Sequence, residues 1–280
     1  MTKVGIINPG AMGISIAASA RSAGRDVLWS SAGRSAASRQ RAAEQDLLDV
    51  DSMEDLCAAC QLILCVCPPH AAQSVAQSVI EAGFRGLYCD GNAIAPRKAL
   101  AIGENMGAAG IDFVDGSIIG PPAWKPGSTR FYLSGASAAR VADLFAGTVT
   151  EAIVIGDEVG RASALKMVFA SGTKGFTALQ SAIQALAESL GVREDLYREW
   201  QRRDPDSATR AQDNVRGVTE KAWRFTGEMQ EIANTFEGAG LPNGFFLAAH
   251  DVYQRMAHFK DADELPTLDE VLAALLDARR

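Results

Sequence analysis

Lys166 is the side chain in this sequence best placed to move a proton. It lies in the run from Val159 to Leu190, VGRASALKMVFASGTKGFTALQSAIQALAESL. There Leu165, Val168, Gly172, Phe176, Leu179, Ile183, Leu186 and Leu190 recur at alternating steps of three and four, which predicts one long helix with a buried stripe. Beside that stripe runs a second line, Lys166, Ala170, Thr173, Thr177 and Gln184. One cation among small and hydroxylated residues is more than a solvated face requires, and it reads as the wall of a site. Partial burial disfavours the ammonium form of a lysine, so Lys166 is suited to exchanging a proton. At 1.5 Å per residue the helix would run on the order of 45 Å, enough to serve two domains.

A second constellation is built to hold a dinucleotide. Lys3 to Ile7 reads as a short buried strand, and Asn8, Pro9, Gly10, Ala11, Met12 and Gly13 follow as a tight turn into a helix. In that order of elements the N–H groups of the helix amino end face a pyrophosphate. Of the G-x-G-x-x-G pattern, Gly10 and Gly13 are in place and Asn8 takes the first position; after Gly, Asn best tolerates a positive φ. The next strand, Asp26 to Ser30, ends without the acid that favours NAD. Ser30, Ser31, Arg34 and Ser35 instead offer hydroxyls and a guanidinium fork suited to a 2′-phosphate, with Arg39 adding charge. NADP is therefore the expected cofactor, with NAD as the alternative.

The remaining strand ends supply the rest of the expected site. Cys67 and Pro68 follow one strand and Asn92 follows another, which sets their backbone and the Asn92 amide near a nicotinamide. A strand from Ile111 to Ile119 runs into Gly120-Pro121-Pro122-Ala123-Trp124-Lys125-Pro126-Gly127. That loop is expected on the site rim, with Gly120 and Trp124 as substrate contacts.

Composition narrows the classes. The 280 residues are 48% apolar and carry a formal net charge of −7, with no basic run that would suit nucleic acid. No apolar run approaches the roughly 18 residues of a membrane span, and the start opens directly into a strand, so a cytoplasmic protein is expected. Cys57, Cys60, Cys65, Cys67 and Cys89 lack the further ligands a metal centre needs, and no metal is expected.

Strand and helix patterns alternate up to Ile155: helices near 53–59, 70–82, 97–108 and 141–147, and strands at 62–66, 86–90, 129–134 and 152–155. Beyond Gly156-Asp157 every segment has helical spacing, including 194–201, 222–236, 245–257 and 268–276. The expected architecture is an α/β Rossmann-type dinucleotide-binding domain over residues 1–156. An all-α domain over 157–280, for substrate and dimerisation, follows through the long interdomain helix. Few charges interrupt that helix, and a homodimer is expected.

These motifs, in this order, resemble the β-hydroxyacid dehydrogenases related to hydroxyisobutyrate and phosphogluconate dehydrogenases, over nearly the whole chain. Gly10-Ala11-Met12-Gly13 is similar to the family's glycine fingerprint. Asp90-Gly91-Asn92-Ala93-Ile94-Ala95-Pro96 resembles its D-x-S-T-x-x-P segment, and Asp115-Gly116-Ser117-Ile118-Ile119-Gly120 stands where it carries D-x-x-V-S-G-G. Gly160 followed by Lys166 matches the G-x-x-x-x-x-K of its catalytic helix. The resemblance implies that Lys166 is the general acid/base of a hydride transfer between a nicotinamide and a carbinol carbon.

Departures from the pattern point elsewhere for the substrate. A family serine that holds a substrate carboxylate is Ile119 here, the asparagine after the lysine is Ala170, and a later lysine is Gly227. Gly-Pro-Pro, Thr173-Lys174-Gly175 and Trp223-Arg224-Phe225 resemble a sub-branch whose helical half is a domain of unknown function. Thr173, almost in line with Lys166 two turns on, is an expected contact for a substrate hydroxyl; Lys174 would supply a cation for a carboxylate or phosphate. The small-molecule substrate is hydroxyacid-like or a related carbonyl. An imine reductase, or a dinucleotide-binding sensor without turnover, are the competing readings.

Overall fold

A computed structural model describes residues 2–277. The chain divides into two compact units between Met167 and Val168. The boundary thus falls inside a helix, beyond the expected break at Gly156-Asp157.

The first unit alternates as the sequence patterns require. Its order is β1 (Lys3–Ile7), α1 (Ala11–Ser22), β2 (Asp26–Ser30), α2 (Ala36–Glu44), β3 (Leu48–Val50), α3 (Met53–Ala59) and β4 (Leu62–Cys65). Then come α4 (Ala72–Glu81), β5 (Leu87–Asp90), α5 (Pro96–Ala108), β6 (Asp112–Ile119), β7 (Thr129–Ser134), α6 (Ala138–Ala142), β8 (Thr150–Val154) and α7 (Arg161–Ala170). One eight-stranded sheet has the order β3-β2-β1-β4-β5-β6-β7-β8. The first six strands in sequence are parallel. β7 runs antiparallel to β6, with Ile119 opposite Arg130, and β8 runs parallel to β7. The Pro-rich loop between β6 and β7 is too short for a crossover helix, so the chain turns back as a hairpin.

Period-two alternation sorts the strand residues onto two covered faces. Val4, Ile6, Val27, Trp29, Leu62 and Leu64 pack into one core, and Ile7, Leu28, Ile63, Cys65 and Tyr88 into the other. The inner strands β1 and β4 are therefore apolar on both faces, as a sheet with helices on both sides demands. α2 and β3 escape the sequence reading because Ala36–Glu44 has no apolar residue larger than alanine and β3 spans three residues.

The second unit is helical: α8 (Phe176–Ser189), α9 (Arg193–Gln201), α10 (Ser207–Gly217), α11 (Ala222–Gly238), α12 (Gly244–Met256) and α13 (Leu268–Leu276). Between α7 and α8 the backbone stays helical but widens into a π-turn over Ser171–Gly175. The single long helix of the sequence reading is thus interrupted. Its expected buried stripe is also reversed. Phe176, Leu179, Ile183, Leu186 and Leu190 are exposed, with Leu190 at 66% and Phe176 at 61%. The buried side of α8 is instead the small one, Ala178, Ser181, Gln184, Ala185 and Ala187. Small residues let neighbouring backbones approach closely, and Gln184 satisfies its amide there by donating to Ala211 O and accepting from Tyr197 Oη. Among the described residues no helix is long and apolar enough to cross a membrane.

Candidate active site

The glycine turn has the geometry its residues suggest. Asn8 takes φ 66°, the left-handed region that G-x-G-x-x-G reserves for glycine. Its amide is engaged at both ends: Nδ2 donates to Val66 O at 3.2 Å and Oδ1 accepts from Arg34 Nη1 at 3.2 Å. Gly13 is obligatory, because a Cβ there would lie 2.6 Å from Asn8 O. At Gly10 the constraint is different. A Cβ would meet nothing nearer than Asn8 O at 4.0 Å, and no side chain caps α1. The amino end of α1, with Ala11 and Met12 in its first turn, is therefore open to an anion, which fits the pyrophosphate of a nicotinamide dinucleotide.

The corner after β2 gathers the residues expected around a 2′-phosphate. Arg34 is held over the turn by its bond to Asn8. Ser35 is the N-cap of α2, its hydroxyl accepting from Ser38 N–H, so its first duty is local. Ser30 Oγ accepts from Ala32 N–H at 3.4 Å, and Ser31 N–H donates to Asp49 Oδ1 at 2.9 Å. Sequence reading found no acid here because Asp49 lies on the overlooked β3.

At the ends of β4 and β5 the structure gives Asn92 a bracing role. It is 2% exposed, and its Oδ1 accepts from Cys67 N–H at 2.6 Å while Nδ2 lies 3.7 Å from Cys65 Sγ. Asn92 thus fixes the course of Cys67 and Pro68. Its own N–H donates to Asp90 Oδ1 at 2.9 Å, while Asp90 Oδ2 is buried with no partner.

Burial pushes the Asp90 carboxyl up from 3.8 to about 7 against the pull of the Asn92 N–H. The folded chain then holds this proton more tightly than the unfolded one. The resulting stabilisation is full below pH 3.8 and is lost as pH rises to about 7. Asp90→Asn is expected to remove that slope. Across this window, unfolding free energies should show the wild type losing up to roughly 4 kcal/mol relative to the variant. Parallel pH profiles for the two proteins would contradict the assignment.

Lys166 stands at the same carboxyl edge of the sheet. Its Nζ donates to Ile118 O near the end of β6 at 2.7 Å, and the residue is half-buried. Three residues earlier on each element lies a second tie. Asp115, fully buried on β6, accepts from Ser163 N–H at 2.9 Å, from Ser163 Oγ at 2.6 Å and from Ser134 Oγ at 3.2 Å. Ser134 Oγ in turn accepts from Ala162 N–H at 3.0 Å. The first-turn amides of α7 are therefore capped from β6 and β7 instead of by a neighbouring residue. Burial raises the Asp115 pKa, while the two Ser163 donors and Ser134 pull it back. The Asp115, Ser134 and Ser163 cluster was missed from sequence, although Asp115 begins a quoted motif and Ser163 precedes Lys166 by three.

The Pro-rich loop is tied down on α1. Ala123 N–H donates to the buried Ser15 hydroxyl at 2.9 Å and Thr129 Oγ1 to Pro121 O at 2.6 Å. Gly120 takes φ 123°, and a Cβ there would lie 2.2 Å from Ser128 O, so the hairpin's close approach explains the glycine. Trp124 is half exposed over a depression it shares with Ala11, Ile14, Arg41, Glu44 and Gln45. It lies against α1 and α2.

In the helical unit, the two sub-branch motifs meet. Lys174 is ion-paired with Glu228, both mostly buried, and its Nζ lies 4.3 Å from the centre of the Phe225 ring. Tyr253 Oη donates to Lys174 O at 2.7 Å and its ring packs edge-on to Phe225. Lys174 was expected to offer a cation to substrate. Its charge is instead matched within the unit, where it braces the π-turn. Thr173 is exposed, and its hydroxyl donates back to Phe169 O at 3.2 Å. Among the described residues no group of three or more His, Cys, Asp or Glu side chains is gathered as a metal site. Burial pushes Cys57 up to about 11 and Cys60 to about 12, so the C-x-x-C pair is held as thiols.

An open glycine turn and a lysine-bearing helix at one edge of a doubly covered sheet define a class, the two-unit nicotinamide-dependent enzymes with a Rossmann domain followed by helices. Residues 3–156 match the model described as the NAD binding domain of 6-phosphogluconate dehydrogenase, and residues 187–256 match a domain of unknown function, DUF1932. The chain belongs to this NAD-binding family, within the β-hydroxyacid dehydrogenase superfamily. Among solved structures it is similar to a conserved protein of unknown function described as resembling 3-hydroxyacid dehydrogenases: 27% identity, TM-score 0.68, 91% of this chain and 97% of the other covered. The 3-hydroxyisobutyrate dehydrogenase of Mycobacterium tuberculosis, solved with L-serine, shares the fold at 17% identity, with TM-score 0.72 over 99% of each chain. An imine reductase variant from Myxococcus stipitatus, solved with NAD+, shares it at 16% identity and TM-score 0.57, again over 99% of each chain. No curated protein matches the chain.

Proposed function

We propose that this protein is an NADP-preferring oxidoreductase that interconverts a hydroxyacid-like or polyol-derived alcohol and its carbonyl, with Lys166 as general acid/base. The observation that carries this reading is the bond from Lys166 Nζ to Ile118 O at 2.7 Å. It holds an amine at the sheet edge that also bears the glycine turn, the Cys67-Pro68 loop and the Asn92 loop, where open α/β sheets bind ligands. A bound nicotinamide supplies or accepts the hydride. Lys166 then gives a proton to the carbonyl oxygen in reduction, or takes it from the hydroxyl in oxidation. The uncapped amino end of α1 at Gly10 to Gly13 holds the pyrophosphate, and Arg34 with Ser31 supports the preference for a 2′-phosphate.

Nicotinamide absorbance with NADP and NADPH, against a panel of hydroxyacids, sugar acids, aldehydes and cyclic imines, tests the proposal. Turnover of a hydroxy or keto compound that collapses in Lys166→Ala supports it. Reduction of a cyclic imine that survives Lys166→Ala would make the protein an imine reductase. Cofactor binding with no turnover across the panel would favour the sensor.

The exposed side of α8 supports a homodimer. Phe176, Leu179, Ile183, Leu186 and Leu190 form an uncharged apolar face, with Leu186 at 59% exposure, and such a face on a folded chain is normally covered. A second copy can cover it with the same face, as a two-fold interface requires. Leu186→Glu, which puts two desolvated carboxylates into that interface, is expected to yield monomers in light scattering. A variant that stays dimeric would move the interface elsewhere.

A further inference from the structure

The corner that follows β2 holds charges of both signs. On one side are Arg34, Arg39 and Arg41, all bonded to uncharged acceptors: Arg34 Nη1 to Asn8 Oδ1, Arg39 Nε to Arg34 O at 3.3 Å, and Arg41 Nε to Pro9 O at 3.2 Å with Nη2 to Ser38 Oγ. Among the described residues none of the three is ion-paired. On the other side stands Asp49, exposed on β3 beside Trp29 in the parallel register. Its Oδ1 accepts the N–H of Ser31 at 2.9 Å, the first backbone donor beyond the β2 strand.

Resting on the reading of Ser31 and Arg34 as 2′-phosphate ligands, we propose that Asp49 narrows the preference for NADP by opposing the arginines. A 2′-phosphate in this corner meets the arginines' attraction and the Asp49 charge together. It must also compete with Asp49 for the Ser31 N–H. A ribose 2′-hydroxyl carries no charge, and it can donate to a carboxylate. Asp49 therefore weakens NADP(H) while leaving NAD(H) untouched or favoured. The acid that a Rossmann unit with NAD specificity carries at the end of its second strand is here offered from the third strand.

Asp49→Asn separates charge from shape, because the amide keeps an oxygen for the Ser31 N–H. Titrations of NADPH and NADH, followed calorimetrically, are compared for the wild type, Asp49→Asn and Asp49→Ala. Removing the negative charge that opposes the arginines at this corner should tighten NADPH roughly tenfold in Asp49→Asn and leave NADH within about twofold. Asp49→Ala, which also frees the Ser31 N–H, should move NADPH the same way. An unchanged ratio of the two affinities in Asp49→Asn overturns the role given to Asp49. Equal weakening of both cofactors in the two variants also overturns it, since the carboxylate would then only brace the loop. If the wild type binds neither NADH nor NADPH, the oxidoreductase reading falls as well; binding of both with an unmoved ratio removes Asp49 alone.

Discussion

Lys166→Ala is expected to lower kcat by about 10²- to 10⁴-fold on whichever hydroxy or keto compound the wild type turns over, the range for losing a general acid/base. The side chain donates to Ile118 O, while the pairing of β6 with β5 and β7 is made between strands and does not involve it. Fold and nucleotide site should survive its removal. Binding of NADPH, followed by fluorescence, should stay within about threefold of the wild type, so the loss falls on kcat. Lys166→Arg keeps the charge but cannot deprotonate, and it should be nearly as slow. If turnover persists in the alanine variant, the proton comes from another group and the role assigned to Lys166 is wrong.

Asp115→Ala is expected to have the largest effect on stability and to lower turnover with it. The carboxylate accepts from Ser163 N–H, Ser163 Oγ and Ser134 Oγ in an interior where it is fully buried. Truncation leaves those donors dry, at about 1–3 kcal/mol for each one that water cannot reach. A total on the order of 4 kcal/mol is expected in urea unfolding at 25 °C. The cluster also sets where α7 begins against β6, and Lys166 follows on that helix one turn after Ser163. Ser134→Ala removes one bond to Asp115 and the acceptor for Ala162 N–H. It should cost less, about 1–2 kcal/mol, and remain folded. In that variant a fall in kcat with NADPH affinity unchanged distinguishes positioning of Lys166 from general loosening. An unaltered kcat in folded Ser134→Ala would confine the cluster to stability.

Much of the first unit is legible in the sequence because its signals are local. Runs such as Lys3 to Ile7 and Leu62 to Val66 are too short and too apolar for anything but buried strands. Asn8 followed by Gly10 and Gly13 requires a backbone that few other residues can adopt, and Asn8 does adopt positive φ. The helices between the strands fall within a few residues of their expected ends, apart from α2, whose alanines and polar residues give no periodicity. With α2 went β3, and with β3 went Asp49, the acid beside Ser31.

What the sequence by itself determined is which segments are strands and helices, the glycine turn and the presence of Lys166 on a helix at the end of the Rossmann unit. These follow from steric and periodic rules that act over a few residues. Only the tertiary structure decided which partner each side chain meets. Periodicity gave the Phe176–Ser189 helix two usable faces and could not say that the small one, Ala178, Ser181 and Ala185, would be buried while Leu186 and Leu190 stayed outside. Spacing put Lys174 near a site, but Glu228, 54 residues further on, neutralises it. Asp115 and Ser163 are separated by 48 residues, as are Lys166 and Ile118. Their pairing depends on where β6 lies in the sheet, and a carboxylate or an amine carries no mark of its partner until the chain has folded.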